Sequence, residues 1–84
     1  MRDPPATPQQ MLKEVIDILA KWGYANAAEL ARELWKSQPF MSGFLWALEA
    51  LGVLEGRRWG GGRLYRLRYE ALRRLEVAVQ GVKP

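Results

Sequence analysis

The chain has 84 residues, no Cys, no His and a net charge of +4. A domain of this length buries only about 60 to 65% of its unfolded surface, which leaves room for one core. Without thiolates or imidazoles the usual ligands of zinc, haem and iron–sulfur centres are missing and no disulfide can form, so no cofactor or metal is expected.

The charge is unevenly placed. Residues 1–56 hold five basic groups against seven acidic ones, whereas residues 57–84 hold eight against two. Such asymmetry is the electrostatic footprint of a surface for a polyanion. A second reading is a solvated Arg-rich surface of a heat-adapted, thermostable protein, which nine Arg against four Lys and a single Asn also fit. The opening MRDPPATP lacks the apolar stretch of a signal peptide. No apolar run reaches the roughly 18 residues of a membrane span, so a soluble, cytoplasmic chain is expected.

Residues 1–6 read as a flexible N-terminus. A helix is predicted over 8–22: Thr7 caps it, Pro8 suits its first position, and Gln10 completes a capping box. Leu12, Val15, Ile16, Leu19 and Trp22 form its core face, and Gly23 ends it. A second helix over 27–35 starts from Asn26 with Glu29 three residues on, and buries Ala27, Leu30, Ala31 and Leu34. Only Lys36 separates it from Ser37, the cap of a third helix over 38–51 that tolerates Pro39 in its first turn. Two helices joined so closely cross at a steep angle.

In the third helix Met41, Phe44, Leu45, Leu48 and Leu51 face the first two helices. Gln38, Ser42, Trp46 and Glu49 face away, beside Pro39 and Gly43. Residues 53–69 read as a hairpin, with strands over 53–59 and 63–69 around Gly60, Gly61 and Gly62. In its second strand Tyr65, Leu67 and Tyr69 share one face while Leu64, Arg66 and Arg68 share the other. Residues 70–80 predict a fourth helix with Leu72, Leu75 and Val79 on one stripe, followed by a tail over 81–84.

Three helices, a hairpin and a closing helix over residues 7–80 are the order of a small α+β winged-helix domain: a helix-turn-helix in a three-helix core, a β-hairpin wing and a C-terminal helix. The run Glu29-Leu30-Ala31, Leu34, Ser37, Leu48-Glu49 and Leu51-Gly52 resembles the bacterial winged-helix pattern without a gap. Within that fold the chain resembles the FeoC-like ferrous-iron transport accessory proteins. The matching residues are Val15, Asp17, Leu19, Ala20, Gly23, Ala27, Ala28, Gln38-Pro39, Leu45, Leu48, Glu49 and Gly52, so the likeness covers residues 12–56. The resemblance implies a role beside a ferrous-iron transporter, as regulator of its operon or partner of its cytoplasmic domain. The Cys cluster that many wings of that family carry is replaced here by RRWGGGRLY, and the turn before the third helix has Trp35 where Gly is common. Iron–sulfur chemistry is therefore not carried over.

A helix in the major groove reads bases most often with Arg, Lys, Asn or Gln. The third helix offers Gln38 and Ser42, and Lys and Arg are absent from residues 37–56. Phe40, Gly43 and Trp46 form either an apolar protein-interaction patch or a set folded back against the wing or last helix. The wing is the richer candidate for double-stranded DNA: Arg57, Arg58 and Arg63 flank its tip, Arg66 and Arg68 project from one strand, and Trp59 offers a stacking face. The same arginines can instead be solvated or paired with Glu55 and Glu70. Leu72, Leu75 and Val79 either cover the first helix or pair with a second copy as a homodimer. With no His or Cys, and with Ser37 read as a cap rather than a nucleophile, no enzyme is expected. The reading reached is a non-enzymatic winged-helix DNA-binding transcriptional regulator whose basic wing holds the phosphate backbone. The alternative is a protein-interaction domain using the apolar third helix, for example as an accessory to a ferrous-iron transporter.

Overall fold

The computed structural model of the chain describes residues 5–71 and 73. Its elements are α1 (Pro8–Trp22), α2 (Ala27–Leu34), α3 (Gln38–Ala50), β1 (Leu54–Trp59) and β2 (Gly62–Leu67). Helical backbone begins again at residue 69, so the predicted fourth helix is seen at its first turn and Leu72, Leu75 and Val79 lie outside the described residues. No helix among the described residues is long and apolar enough to cross a membrane.

Each of α1, α2 and α3 starts on a side-chain cap. The Thr7 hydroxyl accepts from the Gln10 amide at 3.1 Å, and Gln10 Oε1 accepts from the amides of Thr7 and Ala6. Pro5, placed in the N-terminal tail by sequence, is buried. Asn26 and Glu29 repeat the reciprocal arrangement at α2, with bonds of 2.8 and 3.0 Å. Ser37 Oγ accepts from the Phe40 amide at α3. These caps satisfy amide donors that the first turn of a helix leaves without partners.

The turn between α2 and α3 depends on Trp35, which holds φ 61° and ψ 41°, the left-handed region. From there the Lys36 amide donates to the Ala31 carbonyl at 2.9 Å. The helix-turn-helix thus closes with a bulky side chain in a conformation that glycine adopts more easily.

The core is a single cluster drawn from every element: Met11, Val15, Ile18 and Leu19 of α1, Leu30, Ala31 and Leu34 of α2, and Met41, Leu45 and Leu48 of α3, closed by Leu54, Tyr65 and Leu67 of the hairpin. α3 packs against α2 and β1, and α1 against β2. The α1 face is rotated from the predicted one. Met11 and Ile18 are buried, Leu12 and Ile16 are only partly covered, and Trp22 is 44% exposed. The apolar arc of α1 is wide enough for either edge to face inward, and Trp22 sits on the last turn before Gly23, beyond the neighbours that would cover it. Leu51 caps α3 rather than belonging to it and is exposed for the same reason, at the end of the helix. Tyr69 is exposed because β2 stops at Leu67, so the two-residue alternation does not extend to it.

β1 and β2 pair antiparallel, and a third backbone segment joins them: Ala25, between α1 and α2, bridges Tyr65. Reciprocal bonds of 3.0 and 2.9 Å link their amides and carbonyls.

The Trp35 geometry predicts an order of stability. Trp35→Gly raises the urea midpoint, with a gain in stability of about 0.5 kcal/mol after the extra freedom of glycine in the unfolded chain is set against relief of the left-handed strain. Trp35→Val lowers it, since a branched Cβ fits this conformation worst. A midpoint order with Val above Gly would contradict the strain argument.

Candidate nucleic-acid interface

The hairpin register sorts the wing residues onto two faces. Arg58 lies opposite Arg63 and Gly56 opposite Tyr65, while Arg57 lies opposite Leu64 and Glu55 opposite Arg66. Cross-strand partners point to the same side. One face therefore carries Gly56, Arg58, Arg63 and Tyr65, and the other Glu55, Arg57, Trp59, Leu64 and Arg66. The arginines expected to act together are split between the two.

The first face looks toward α3. Gln38, Ser42, Gly43 and Trp46 of α3, Asn26 to Ala28 at the start of α2, and Gly61, Gly62, Arg63 and Tyr65 of the wing line one cleft of about 490 Å³. Arg58 and Arg63 border an adjoining hollow at the glycine tip. The second face forms a separate hollow in which Arg57, Trp59 and Arg66 meet Tyr24 and Glu29. Arg68 follows the strand, exposed, with its amide donating to Val53.

Two of the arginines are engaged. Arg66 sends Nε and a terminal nitrogen to Glu55 Oε1, both at 2.8 Å. The hydrogen bond and then the charge of Arg66 hold the Glu55 carboxyl below its ordinary value. The pair is therefore in place above the usual carboxylate pKa and is lost only as the pH falls through the lowered one. Arg63 bonds Glu49 Oε2 at 2.5 Å, tying the wing to α3. Glu49 Oε1 is buried without a hydrogen-bond partner. Arg57, Arg58 and Arg68 have no ion-pair partner among the described residues.

The Arg63–Glu49 pair fits because residue 56 has no side chain. A Cβ there would come within 2.7 Å of both the Arg63 guanidinium and Glu49 Oε1. Of the alternative in which wing arginines pair with Glu55 and Glu70, one pair, Arg66–Glu55, is found among the described residues. Glu49, expected to face outward on α3, is instead half-buried as the partner of Arg63. The sequence signal for this pairing is the isolated glycine inside a strand, which marks close approach by a neighbour.

On α3 the outward residues are where the helical spacing puts them. Gln38, Ser42 and Gly43 are exposed and Trp46 is 69% exposed. Phe40 is about half exposed and stacks on Phe44, with ring centroids 6.1 Å apart. Of the two readings of Phe40 and Trp46, the described residues do not cover Trp46. No group of His, Cys, Asp and Glu among them could hold a metal ion.

Comparison with solved structures places this arrangement among transcriptional regulators. A crystal structure of a possible transcriptional regulatory protein from Mycobacterium bovis, a fragment spanning residues 1–100, superimposes with a TM-score of 0.70 at 30% identity, over 86% of this chain and 76% of that one. A solution structure of a homodimeric winged helix-turn-helix DNA-binding domain from the same organism, a possible ArsR-family transcriptional regulator, gives 0.67 at 29% identity, over 90% and 68%. The AntR antimony-specific transcriptional repressor shares the fold, with a TM-score of 0.67 at 23% identity over 92% and 68%. No family model and no curated protein matches the chain. The FeoC-like resemblance is not confirmed by these matches, which are to ArsR-type and antimony-specific regulators.

The Glu49–Arg63 geometry makes an asymmetric prediction for urea unfolding. Arg63→Ala leaves a half-buried carboxylate without its partner and destabilises more than Glu49→Ala, which frees an arginine able to reach water. The double variant then lies close to Glu49→Ala alone. Equal costs for the two single variants, adding in the double, would show that the pair contributes nothing.

Proposed function

The chain belongs to the winged-helix domains found in transcriptional regulators, and from that premise we propose that it is a regulator that binds double-stranded DNA. The observation that carries this reading is the set of wing arginines without ion-pair partners among the described residues, Arg57, Arg58 and Arg68, beside a helix that presents hydrogen-bonding groups in a cleft shared with the wing. Phosphates along a duplex are the partners such cations lack. Arg58 and Arg63 stand directly opposite each other at the tip, where like charges repel and only Arg63 is neutralised by Glu49. An anion at the tip relieves that repulsion. The three glycines keep the tip narrow enough to approach a groove, and Arg57 and Trp59 on the other face reach the flanking backbone. One of the similar domains is homodimeric. The same assembly here sets two wings on one duplex, and sedimentation equilibrium with and without DNA reads it.

A second reading rests on Trp46. An exposed indole beside Gly43, on a helix that also exposes Phe40 and carries no Lys or Arg, is also the composition of a protein-binding patch. A partner protein on α3 and DNA on the wing do not exclude one another, but a protein-only role leaves the wing arginines without purpose.

Fluorescence anisotropy with a labelled random duplex, taken at several salt concentrations between about 50 and 200 mM, tests the DNA reading. Binding weakens steeply as salt rises. The Arg57→Ala, Arg58→Ala double variant binds more weakly, and the slope of log affinity against log salt falls by about 2, one for each phosphate no longer neutralised. A folded double variant with an unchanged slope removes the wing from the interface.

A further inference from the structure

We infer that α3 reads A·T base pairs in the major groove, with Gln38 on adenine and Trp46 against the thymine methyl. The inference rests on the DNA-binding reading above and names what that surface selects.

The groups the cleft presents leave little to read a G·C pair. Guanine is read most often by Arg or Lys. α3 has neither, and the one cation lining the cleft among the described residues, Arg63, is held by Glu49. Cytosine is read by a carboxylate accepting from its amino group. The only carboxylate of α3, Glu49, has one oxygen engaged by Arg63 and the other buried. What remains exposed is an amide, a hydroxyl and an indole: Gln38, Ser42 and Trp46.

These three suit one base pair type. The Gln38 amide both donates and accepts, which matches the N7 acceptor and N6 donor of adenine. Thymine is the one base that presents a methyl group in the major groove, and an apolar surface is what packs on it. Ser42 is compatible with either base and is small. With Gly43 beside it, the middle of the helix can come close to the base edges.

The spacing suits the task as well. Residues 38, 42 and 46 are four apart and fall on one stripe. They span about 12 Å along the helix, at about 1.5 Å per residue. That distance covers three to four stacked base pairs at about 3.4 Å each.

The test uses two duplexes of equal length, one with an A·T-rich core and one with a G·C-rich core, in anisotropy titrations at about 50 mM salt. The A·T duplex is expected to bind about tenfold tighter, the discrimination that one good bidentate base contact supplies. Two substitutions in the DNA then locate the readout, because each changes the major groove alone. Replacing thymine by uracil removes the methyl and weakens binding several-fold in the native protein but not in Trp46→Ala. Replacing adenine by 7-deazaadenine removes N7 and weakens binding in the native protein but not in Gln38→Ala. Both side chains are exposed, so neither substitution disturbs the core, and circular dichroism confirms that each variant is folded. Equal binding of the two duplexes overturns the inference and leaves DNA binding intact. An A·T preference indifferent to both base substitutions also overturns it, since the selection then comes from groove shape at the wing. No binding to either duplex overturns the inference and the DNA reading together, and makes the Trp46 surface a protein contact.

Discussion

Two backbone hydrogen bonds between Ala25 and Tyr65 decide where the wing stands relative to the helices. They convert a short connection between α1 and α2 into a third, single-residue strand beside β2, so the hairpin is pinned to the helical core at its middle. The Tyr65 side chain is buried at the same point. A two-stranded ribbon alone is marginal in water. With Tyr65 and Leu67 in the core and Ala25 at its edge, this one becomes a rigid extension of the domain. Everything at the interface inherits that fixed position: the cleft between α3 and the wing, the Arg63–Glu49 pair across it, and the arginines at the tip.

The fold is largely legible in the sequence because it is written in local rules. Thr7, Asn26 and Ser37 cap the helices that follow them, and Gly23 and Gly60 take the positive φ at which α1 and β1 end. What local rules do not carry is orientation. A broad apolar arc specifies that α1 is amphipathic without specifying which edge is buried, so periodicity alone overlooks Met11 and Ile18 and puts Trp22 inside. The bridge at Ala25 leaves no sequence signal, because one residue of strand has no alternation to read. The candidate site is legible in composition and not in geometry. Arg57 and Arg58 are adjacent in sequence and so look like one patch, yet alternation along a strand sends them to opposite faces. Helical spacing turns Glu49 outward, but its long side chain reaches Arg63 across the space that Gly56 leaves open.

Charge and chemistry are divided between the two halves of the surface. The wing carries cations and few groups able to distinguish bases. α3 carries hydrogen-bonding and apolar groups and no free charge. Contacts to phosphate supply affinity without sequence information, whereas contacts to base edges supply selectivity. A protein that put both tasks on α3 would need cations there, and each would attract guanine and phosphate alike.

Glu49 enforces this division. It sits where α3 meets the wing and neutralises Arg63, the one arginine among the described residues that lines the cleft between them. The pair is partly exposed on both sides and therefore contributes modestly to stability. Its larger effect is on what the cleft presents. With Arg63 occupied, the cleft offers a neutral surface, and the positive field is left to Arg57, Arg58 and Arg68 on the wing and its margin. Gly56 leaves the room the pair occupies, because a Cβ there would meet the ends of both side chains and they would have to shift.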